Sequence, residues 1–374
     1  MVGKIQKLMK QKLLLIIITC LFSCSKKPEN KKIIVKTDYN IETLVICFEI
    51  ADKGFWNFPF DDYQPMKKKA RDKFKQYKNH EAILIIDSLV SRGFWLDAMI
   101  EVILKSSPLP NARLLHELEE STLKRISDDT NEASILIDKF LGSLNTFYNE
   151  AKMPEYFNEH KDYFSSVNLE VKNNVPDEHF INVMENYYGK KNDSYTLIPS
   201  ASLYHTMGFG NRIKGNIGFK VFNVFGPLIE TKDSLEYGFG FNKPTEIDEL
   251  TVHEFGHSFI NPVLESLENR TLIDKYEYLF EPIKKVMKKQ GYGNWKTCVA
   301  EHIVRLGEIR ISYAMGDSIR ANRIRDHYIN DRKFIYLPLL EKSIYKYENT
   351  RNEYESIDNF LPELLKSFSK YGTN

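Results

Sequence analysis

Two histidines and a glutamate stand at the spacing of a metal-binding helix in the segment His253-Glu254-Phe-Gly-His257. Residues four apart lie one turn above each other on the same helical face, so both imidazoles can reach one metal ion. Neutral imidazole suits zinc, and two helical histidines with one further ligand leave a position for water. The segment therefore predicts one Zn²⁺ ion held by His253 and His257, with Glu254 as the general base that activates a zinc-bound water.

The residues around this motif favour a metal over two ordinary core histidines. Pro244 and Thr245 precede a group of acidic residues, as at the start of a helix. From Leu250 to Ile260 the motif supplies the only ionisable side chains, so this part of the helix is apolar nearly all round and must be buried. Three buried ionisable groups need partners, and a metal satisfies them together. The alternative is a pair of core histidines that are hydrogen-bonded without metal.

The motif and its context resemble the zincin metallopeptidases, whose HExxH helix lies under a small sheet with an exposed edge strand. Ile260 and Val263 stand where the HExxHxxGxxH extension of the metzincins would have its glycine and third histidine. The sequence is more similar to the gluzincin branch, in which a glutamate on a later helix is the third ligand. It also resembles an uncharacterised family of bacterial secreted proteins known only as a domain of unknown function. That second resemblance covers Tyr39 to Phe55, His80 to Ile103, Phe157 to Tyr163, the HEFGHSF core and Glu301 to Arg305.

A later helix, predicted over Trp295 to Ala314, carries the residues that this resemblance requires. Glu301, Arg305, Glu308 and Ser312 follow at spacings of four, three and four, and so share one stripe. The gluzincin resemblance implies that Glu301 is the third metal ligand, with Glu308 in reserve. Arg305 would then orient Glu301 or bind a substrate carboxylate. The alternative is that Glu301 only forms a surface pair with Arg305.

Hydrolysis also needs a hydrogen-bond donor for the negative charge that develops on the carbonyl oxygen. His302, Tyr313 and His205 are candidates by residue type alone. A purely structural role is the alternative for each of them. His160 is expected to be exposed or to make only a local hydrogen bond.

The order of elements along the chain predicts the fold class. Apolar residues recur at helical spacing up to about Glu150 and again after Thr245. Between these parts lie three predicted strands, Tyr195–Pro199, Phe219–Phe225 and Tyr237–Phe241, separated by glycines. The second or third of them would be the edge that binds an extended peptide, unless both are interior strands. We therefore expect an α+β fold that is mostly helical, with a small mixed or antiparallel β-sheet and a zincin-like active-site helix.

The amino terminus predicts secretion and lipid anchoring. Four lysines precede an apolar run from Leu13 to Phe22, which is too short to span a bilayer and is typical of a signal peptide. The run ends in Leu-Phe-Ser-Cys24, which resembles the lipobox of bacterial lipoproteins and implies that Cys24 carries the lipid. A plain signal peptide with an incidental cysteine is the alternative. We expect a lipoprotein signal peptide over 1–23, a flexible tether over 24–36, a helical region over 37–130 and a zincin-like metallohydrolase region over 131–374.

Composition and charge narrow the possible partners. Without the four lysines of the signal peptide, 48 basic residues stand against 51 acidic ones, so no basic surface for nucleic acid is indicated. A peptide or protein substrate and a membrane, reached through the N-terminal lipid, are the expected partners. The cell envelope is the expected location, with the outer membrane favoured because Ser25 is not acidic. Cys47 and Cys298 either form a disulfide or stay as buried free thiols.

Three functional hypotheses follow from these residues. The leading one is a zinc metallopeptidase that hydrolyses peptide bonds with Glu254 as general base. The long helical first half has no catalytic signature, which favours a second hypothesis: a lipid-anchored binding or assembly protein on a zincin scaffold without catalysis. The third is metal-dependent hydrolysis of another bond, such as an amide in cell-wall material.

Overall fold

The computed structural model describes residues 31–58, 64–176, 179–228 and 238–371, and the chain from Lys32 onward groups into one compact unit. The predicted signal peptide and Cys24 lie outside the described residues. Among the residues that are described, no helix combines the length and apolar character that crossing a membrane would require.

The first half of the chain is helical, as the apolar spacing predicted. Helix α1 (Tyr39–Ile50) begins after Asp38, whose carboxylate accepts hydrogen bonds from the backbone N–H groups of Asn40 and Ile41. The following residues form turns up to Phe58, and Phe55 among them is fully buried. The later helices are α2 (Pro65–Phe74), α3 (Glu81–Ser91), α4 (Leu96–Leu104), α5 (Glu120–Leu123), α6 (Thr130–Glu150), α7 (Met153–Glu159), α8 (Lys161–Lys172) and α9 (His179–Tyr188).

A four-stranded mixed sheet follows, which confirms the α+β class. Its strands are β1 (Ile33–Val35), β2 (Ser194–Pro199), β3 (Gly208–Lys214) and β4 (Phe219–Phe225), in the order β1-β2-β4-β3. The first three strands of that order run parallel, and β3 pairs antiparallel with β4 at the edge. Strand β1 corrects the predicted tether, because its three residues pair with β2 rather than remaining free.

The predicted strand Tyr237–Phe241 is wrong over its described residues. Residues 238–241 form a turn, since Gly238 and Gly240 adopt positive φ values of 59° and 91° that a strand does not contain. Glu170 holds this turn by accepting hydrogen bonds from the backbone N–H groups of Phe239 and Phe241. Tyr237 itself lies outside the described residues.

The second half returns to helices: the HExxH helix begins where it was predicted to begin, and the later helix of the site has the predicted extent. Helix α10 (Pro244–Leu264) carries the HExxH motif and begins with proline in its first turn. The other elements are α11 (Leu267–Lys275), α12 (Lys284–Lys289), α13 (Trp295–Ala314), α14 (Ser318–Asp326), α15 (Leu337–Asn349) and α16 (Ile357–Lys366). Cys47 and Cys298 are buried free thiols, so no disulfide joins them.

Helix α10 lies between the sheet and α13. It packs against the edge strand β3 and its neighbour β4 on one side and against α13 on the other. Helix α4, from the first half of the chain, also packs against β3. Three parts of the chain that are far apart in sequence therefore meet around the HExxH motif.

Candidate metal centre

The close approach of α10 and α13 depends on two glycines. A side chain at Gly256 would meet Val304 Cγ1 at 3.2 Å and the Tyr188 hydroxyl at 3.3 Å. A side chain at Gly307 would meet the same hydroxyl at 2.2 Å, closer than any real contact. The absence of both side chains lets the helices pack together with the Tyr188 ring beside them. This packing brings the Glu301 face of α13 to the histidines of α10.

Three predicted ligands converge on one point. The Nε2 atoms of His253 and His257 lie 3.2 Å apart. Glu301 Oε1 lies 3.3 Å from His257 Nε2, and Glu301 Oε2 lies 3.7 Å from His253 Nε2. All three ligand atoms lie within 4.8 Å of one another. The described residues contain no other such group of histidine, cysteine or carboxylate side chains.

The hydrogen bonds of the two imidazoles leave their ligand nitrogens free for a cation. Nδ1 of His253 lies 2.8 Å from Glu308 Oε1, and Nδ1 of His257 lies 3.1 Å from Asn261 Oδ1. Both acceptors require a hydrogen on Nδ1, so in the neutral ring the lone pair is on Nε2. Two lone pairs 3.2 Å apart beside a carboxylate repel one another unless a proton or a metal ion lies between them. The donor set of two nitrogens and one carboxylate fits Zn²⁺.

Glu308 supports a ligand instead of being one. Its Oε1 accepts from His253, and its Oε2 accepts a 2.6 Å hydrogen bond from the Tyr328 hydroxyl. The carboxylate is 2% exposed, so it is fixed in place. A carboxylate on the far nitrogen of a ligand histidine sets the tautomer and raises the basicity of the ring. The reserve role given to Glu308 is therefore corrected to orientation of His253.

Arg305 lies beside Glu301, as the sequence predicted. Its Nη2 donates to Glu301 Oε2 at 3.2 Å and to the Tyr292 hydroxyl at 3.0 Å. The guanidinium lies over the rings of Tyr328 and Phe334. The pair is buried instead of lying at the surface, so the alternative of a solvated surface pair is wrong.

The electrostatics of the site keep the carboxylate charged. Burial alone would raise the pKa of Glu301, but His257, His253 and Arg305 together hold it far below its usual value. Burial alone would lower the pKa of His257, but the hydrogen bond and charge of Glu301, with a contribution from Glu254, raise it to about 9. The site thus attracts positive charge at neutral pH, whether protons or a metal.

Glu254 lies at the mouth of the site without a fixed partner. No hydrogen bond or ion pair to its carboxylate occurs among the described residues, so its oxygens are available to accept a proton. Two adjoining cavities of about 260 and 450 Å³ meet at Glu254 and His257. Together they form a cleft, which we call the Glu254 cleft. Its larger cavity also contains His253 and Glu301. The walls of the cleft include Asp97 and Glu101 on α4 and Lys105 just after that helix.

The edge strand along the cleft is β3, which the sequence analysis missed. Strand β4 (Phe219–Phe225), one of the two predicted edges, is interior. The Gly226 N–H donates to the Met207 carbonyl, and the Gly215 N–H donates to the Gly218 carbonyl. In the register that these bonds fix, the backbone N–H and C=O groups of the odd-numbered residues of β3 point toward β4. The N–H and C=O groups of Gly208, Gly210 and Arg212 therefore point away from the sheet. Gly210 lies over Glu254: a side chain there would come within 2.6 Å of Glu254 Oε2.

The remaining predicted donors lie elsewhere. His302 is fully buried beside Phe334 and Tyr336, where Nδ1 donates to the Cys298 carbonyl at 2.7 Å and burial lowers its pKa to about 4. The Tyr313 hydroxyl donates to Asn322 and accepts from Arg325. Neither of them lines the Glu254 cleft. On α13 the two residues stand about 100° and 120° around the helix from Glu301, so neither is placed to donate a proton in the cleft.

Two other predicted histidines also fall outside the cleft. The His205 ring lies beside Tyr204 at a tilt of 52°, and the His205 backbone N–H donates to Gln64. His160 makes the local hydrogen bond that was predicted, 2.9 Å from Nδ1 to the Tyr156 carbonyl. Neither lines either cavity of the cleft.

Tyr292 is a candidate that the sequence analysis missed. It lines the larger cavity together with His253, His257 and Glu301. Its hydroxyl oxygen accepts from Arg305 at 3.0 Å and from Arg332 at 3.2 Å. Burial raises the pKa of Tyr292, so the hydroxyl keeps its proton at neutral pH, and no described residue accepts that proton. The tyrosine stands in a loop before α13, where no spacing signal points to it.

Fold and site together define an α+β protein with a two-histidine, one-glutamate candidate metal centre beneath an exposed edge strand. Residues 33–367 match the family model described as Domain of unknown function (DUF4932), and the chain belongs to that family. No curated protein and no solved structure matches the chain.

Proposed function

We propose that the chain is a zinc-dependent metallopeptidase of the gluzincin type, with His253, His257 and Glu301 as metal ligands and Glu254 as general base. The observation that carries the proposal is the convergence of three ligand atoms within 4.8 Å beside a carboxylate that has no described partner. A zinc ion held there would polarise a substrate carbonyl and acidify water. The proposal keeps the predicted lipid anchor at Cys24 and an envelope location, which the N-terminal sequence supports.

The side chains of the cleft fit the steps of peptide hydrolysis. Glu254 accepts a proton from the attacking water and returns it to the leaving amine. Tyr292 can donate its free proton to the carbonyl oxygen as negative charge develops there, and the two arginines that donate to its oxygen strengthen it as a donor. Arg305 and Glu308 hold Glu301 and His253 in place.

The edge strand supports an extended peptide as the substrate. The outward N–H and C=O groups of Gly210 and Arg212 have no hydrogen-bond partner in the described part of the chain. An extended peptide beside β3 would satisfy them by adding a strand to the sheet. Such a peptide would pass over Glu254, because Gly210 lies directly above its carboxylate. This geometry favours a peptide over a cell-wall amide of another shape.

The number of ligands favours catalysis over a purely structural metal. A structural zinc site is closed by four protein ligands, whereas a catalytic site has three and an open position. Within the described ranges, three ligand side chains converge and no fourth joins them. The open side faces the cleft that contains Glu254. These features favour a peptidase over the alternative of a binding or assembly protein on the same scaffold.

Metal content and turnover test the proposal together. Purified residues 25–374 should bind about one zinc ion per chain, measured by mass spectrometry of the metal, and should cleave unstructured protein substrates. Glu254→Gln should keep the zinc and lose about 10²- to 10⁴-fold in kcat. Glu246→Gln, an exposed glutamate on the same helix, is the matched control and should behave as the wild type. A folded protein that binds no zinc, or a Glu254→Gln variant with full activity, would overturn the proposal.

A further inference from the structure

Arg212 is a partly buried cation in the wall of the Glu254 cleft, where its guanidinium lies over the Phe219 ring and has one long ion pair. It stands on β3, two residues beyond Gly210, and lines the smaller cavity. Its side chain is only 21% exposed, and its one described hydrogen bond is 3.4 Å long, to Glu119. Glu119 is 56% exposed and so is free to move into solvent. A guanidinium has five N–H donors, most of which are left for a ligand here.

The other cations of the cleft are already satisfied. The Lys105 ammonium donates to Glu101 at 2.7 Å and to the Glu117 carbonyl at 3.1 Å. Arg125 holds both oxygens of Asp97 at 2.7 and 3.0 Å. Such close, charge-assisted hydrogen bonds leave little attraction for a further anion. Arg212 therefore differs from its neighbours in its contacts, not only in its position.

The acidic residues near Arg212 do not cancel its charge. Burial lowers the pKa of Arg212, and Glu119, with smaller contributions from Glu101 and Glu265, offsets this only in part. Glu101 is paired with Lys105, and Glu265 is paired with Lys296 at 2.7 Å. A ligand carboxylate that replaced the exposed Glu119 would gain the guanidinium without displacing a buried ion pair.

The geometry of β3 determines where the ligand carboxylate would lie. Side chains that project to one face of a sheet recur every second residue, about 7 Å apart. Gly208, Gly210 and Arg212 therefore share the face that looks onto α10 and Glu254. In a peptide paired with β3, the residue opposite Arg212 stands two positions from the residue opposite Gly210. Its side chain leaves the sheet on the same face and reaches the guanidinium as a cross-strand neighbour.

We propose that Arg212 binds a carboxylate of the substrate, so that the protein prefers peptides with Asp or Glu two residues to one side of the residue that pairs with Gly210. This inference rests on the proposed peptidase function and adds the chemical class of its substrate. It assigns Arg212 a role in specificity, while the reacting atoms stay with Glu254 and the metal ligands.

The test uses the zinc-loaded chain and seven-residue peptides blocked at both ends, with Asp, Glu, Gln or Lys scanned through each position. The wild type should cleave the acidic peptide at least about tenfold better in kcat/KM than its Gln counterpart, at one position only. Arg212→Gln should remove this preference, and Arg212→Glu should shift it to Lys. Lys214→Gln, two residues further on the same strand face and exposed, should leave it unchanged. A peptide of the same sequence with a free C-terminal carboxylate and no acidic side chain shows whether Arg212 also binds a terminal carboxylate.

A binding measurement separates this inference from the peptidase proposal. Fluorescence anisotropy with Glu254→Gln should show tighter binding of the acidic peptide than of the Gln peptide, and Arg212→Gln in that background should abolish the difference. Binding preference without any cleavage by the wild type would leave the inference standing and overturn the peptidase proposal. The inference itself is overturned if acidic peptides have no advantage in cleavage or binding. It is also overturned if Arg212→Gln and Lys214→Gln reduce the advantage equally.

Discussion

Replacing Gly210 by alanine tests whether Glu254 must stay where the edge strand holds it. The new Cβ would lie 2.6 Å from Glu254 Oε2, whereas ordinary van der Waals contacts begin at 3.4 Å. The backbone oxygen of Glu254 is 3.5 Å away and needs no adjustment. The carboxylate is the far end of a flexible side chain, so it is the group that yields, by about 0.8 Å. A misplacement of about 1 Å in a catalytic group can cost about 10²-fold in rate.

We therefore expect Gly210→Ala to lower kcat by tens to about 100-fold while the fold and the zinc content stay intact. Gly210 is not among the glycines with positive φ, so alanine can adopt its backbone conformation. The substitution should leave the free energy of unfolding unchanged or raise it by about 0.4–1 kcal/mol, since alanine restricts the unfolded chain. Loss of activity with retained or increased stability is the expected signature.

Gly208→Ala is the matched comparison, because it adds the same methyl group to the same face of the same strand. Its Cβ would meet Leu250 at 3.4 Å and Glu254 Oε1 at 3.8 Å, which are ordinary contacts. The assay measures kcat and KM on one peptide, zinc content and the thermal midpoint for both variants. The loss of kcat should be at least about tenfold larger for Gly210→Ala. Equal activities of the two variants, or loss of zinc from Gly210→Ala, would refute the reasoning.

Two further predictions concern buried carboxylates. Glu308→Gln should weaken zinc binding by about ten- to 100-fold, because His253 loses the charged acceptor that orients its ring and makes it more basic. Competition with a chromogenic chelator measures the zinc affinity. An unchanged affinity would contradict the role assigned to Glu308. Glu42 is 1% exposed, and burial raises its pKa to about 7, although its carboxylate accepts a 2.9 Å hydrogen bond from the Ala201 N–H. Since its folded pKa lies above the unfolded value near 4.5, its stabilising contribution is complete below about pH 4.5 and is lost as pH rises through 7. Urea unfolding should show a fall of about 3 kcal/mol over this window that is absent in Glu42→Gln, and the same slope in both proteins would refute the assignment.

The helices of the site could be predicted because their signals are local. The extent of α13 follows from the apolar spacing between Trp295 and Ala314, and the start of α10 from Pro244 and the acidic residues after it. The two histidines also needed no tertiary information, since a spacing of four on any helix places them together. Their distance of 3.2 Å between Nε2 atoms is a consequence of that spacing.

The edge strand could not be predicted in this way. Residues 208–214 contain two glycines and an asparagine, which have low β-propensity, so their local pattern indicates only a break between strands. They are extended because each pairs with β4, a contact that no local pattern encodes. The strand predicted for Tyr237–Phe241 is wrong over its described residues for the opposite reason. Aromatic residues there favour a strand, but Gly238 and Gly240 turn the chain.

The choice between Glu301 and Glu308 shows where sequence reasoning stops at a site. Both lie on one stripe of α13, and the resemblance to gluzincins selected the first without excluding the second. Only the packing at Gly256 and Gly307 decides which carboxylate reaches Nε2 and which reaches the far side of His253. Tyr292 could not be found at all, because its link to the site runs through Arg305 in space.

The walls of the cleft bear on the hypothesis that the helical first half is a separate binding module. Asp97 and Glu101 on α4 line the cavity that holds the three candidate ligands, and α4 packs directly on the strand that carries Gly210. Glu119 from the same half makes the only described hydrogen bond to Arg212. The residues that line the cleft beside the candidate metal centre therefore come from both halves of the chain. A first half without catalytic residues therefore fits the proposed peptidase, in which the second half would supply the chemistry and the first half would help to select the peptide.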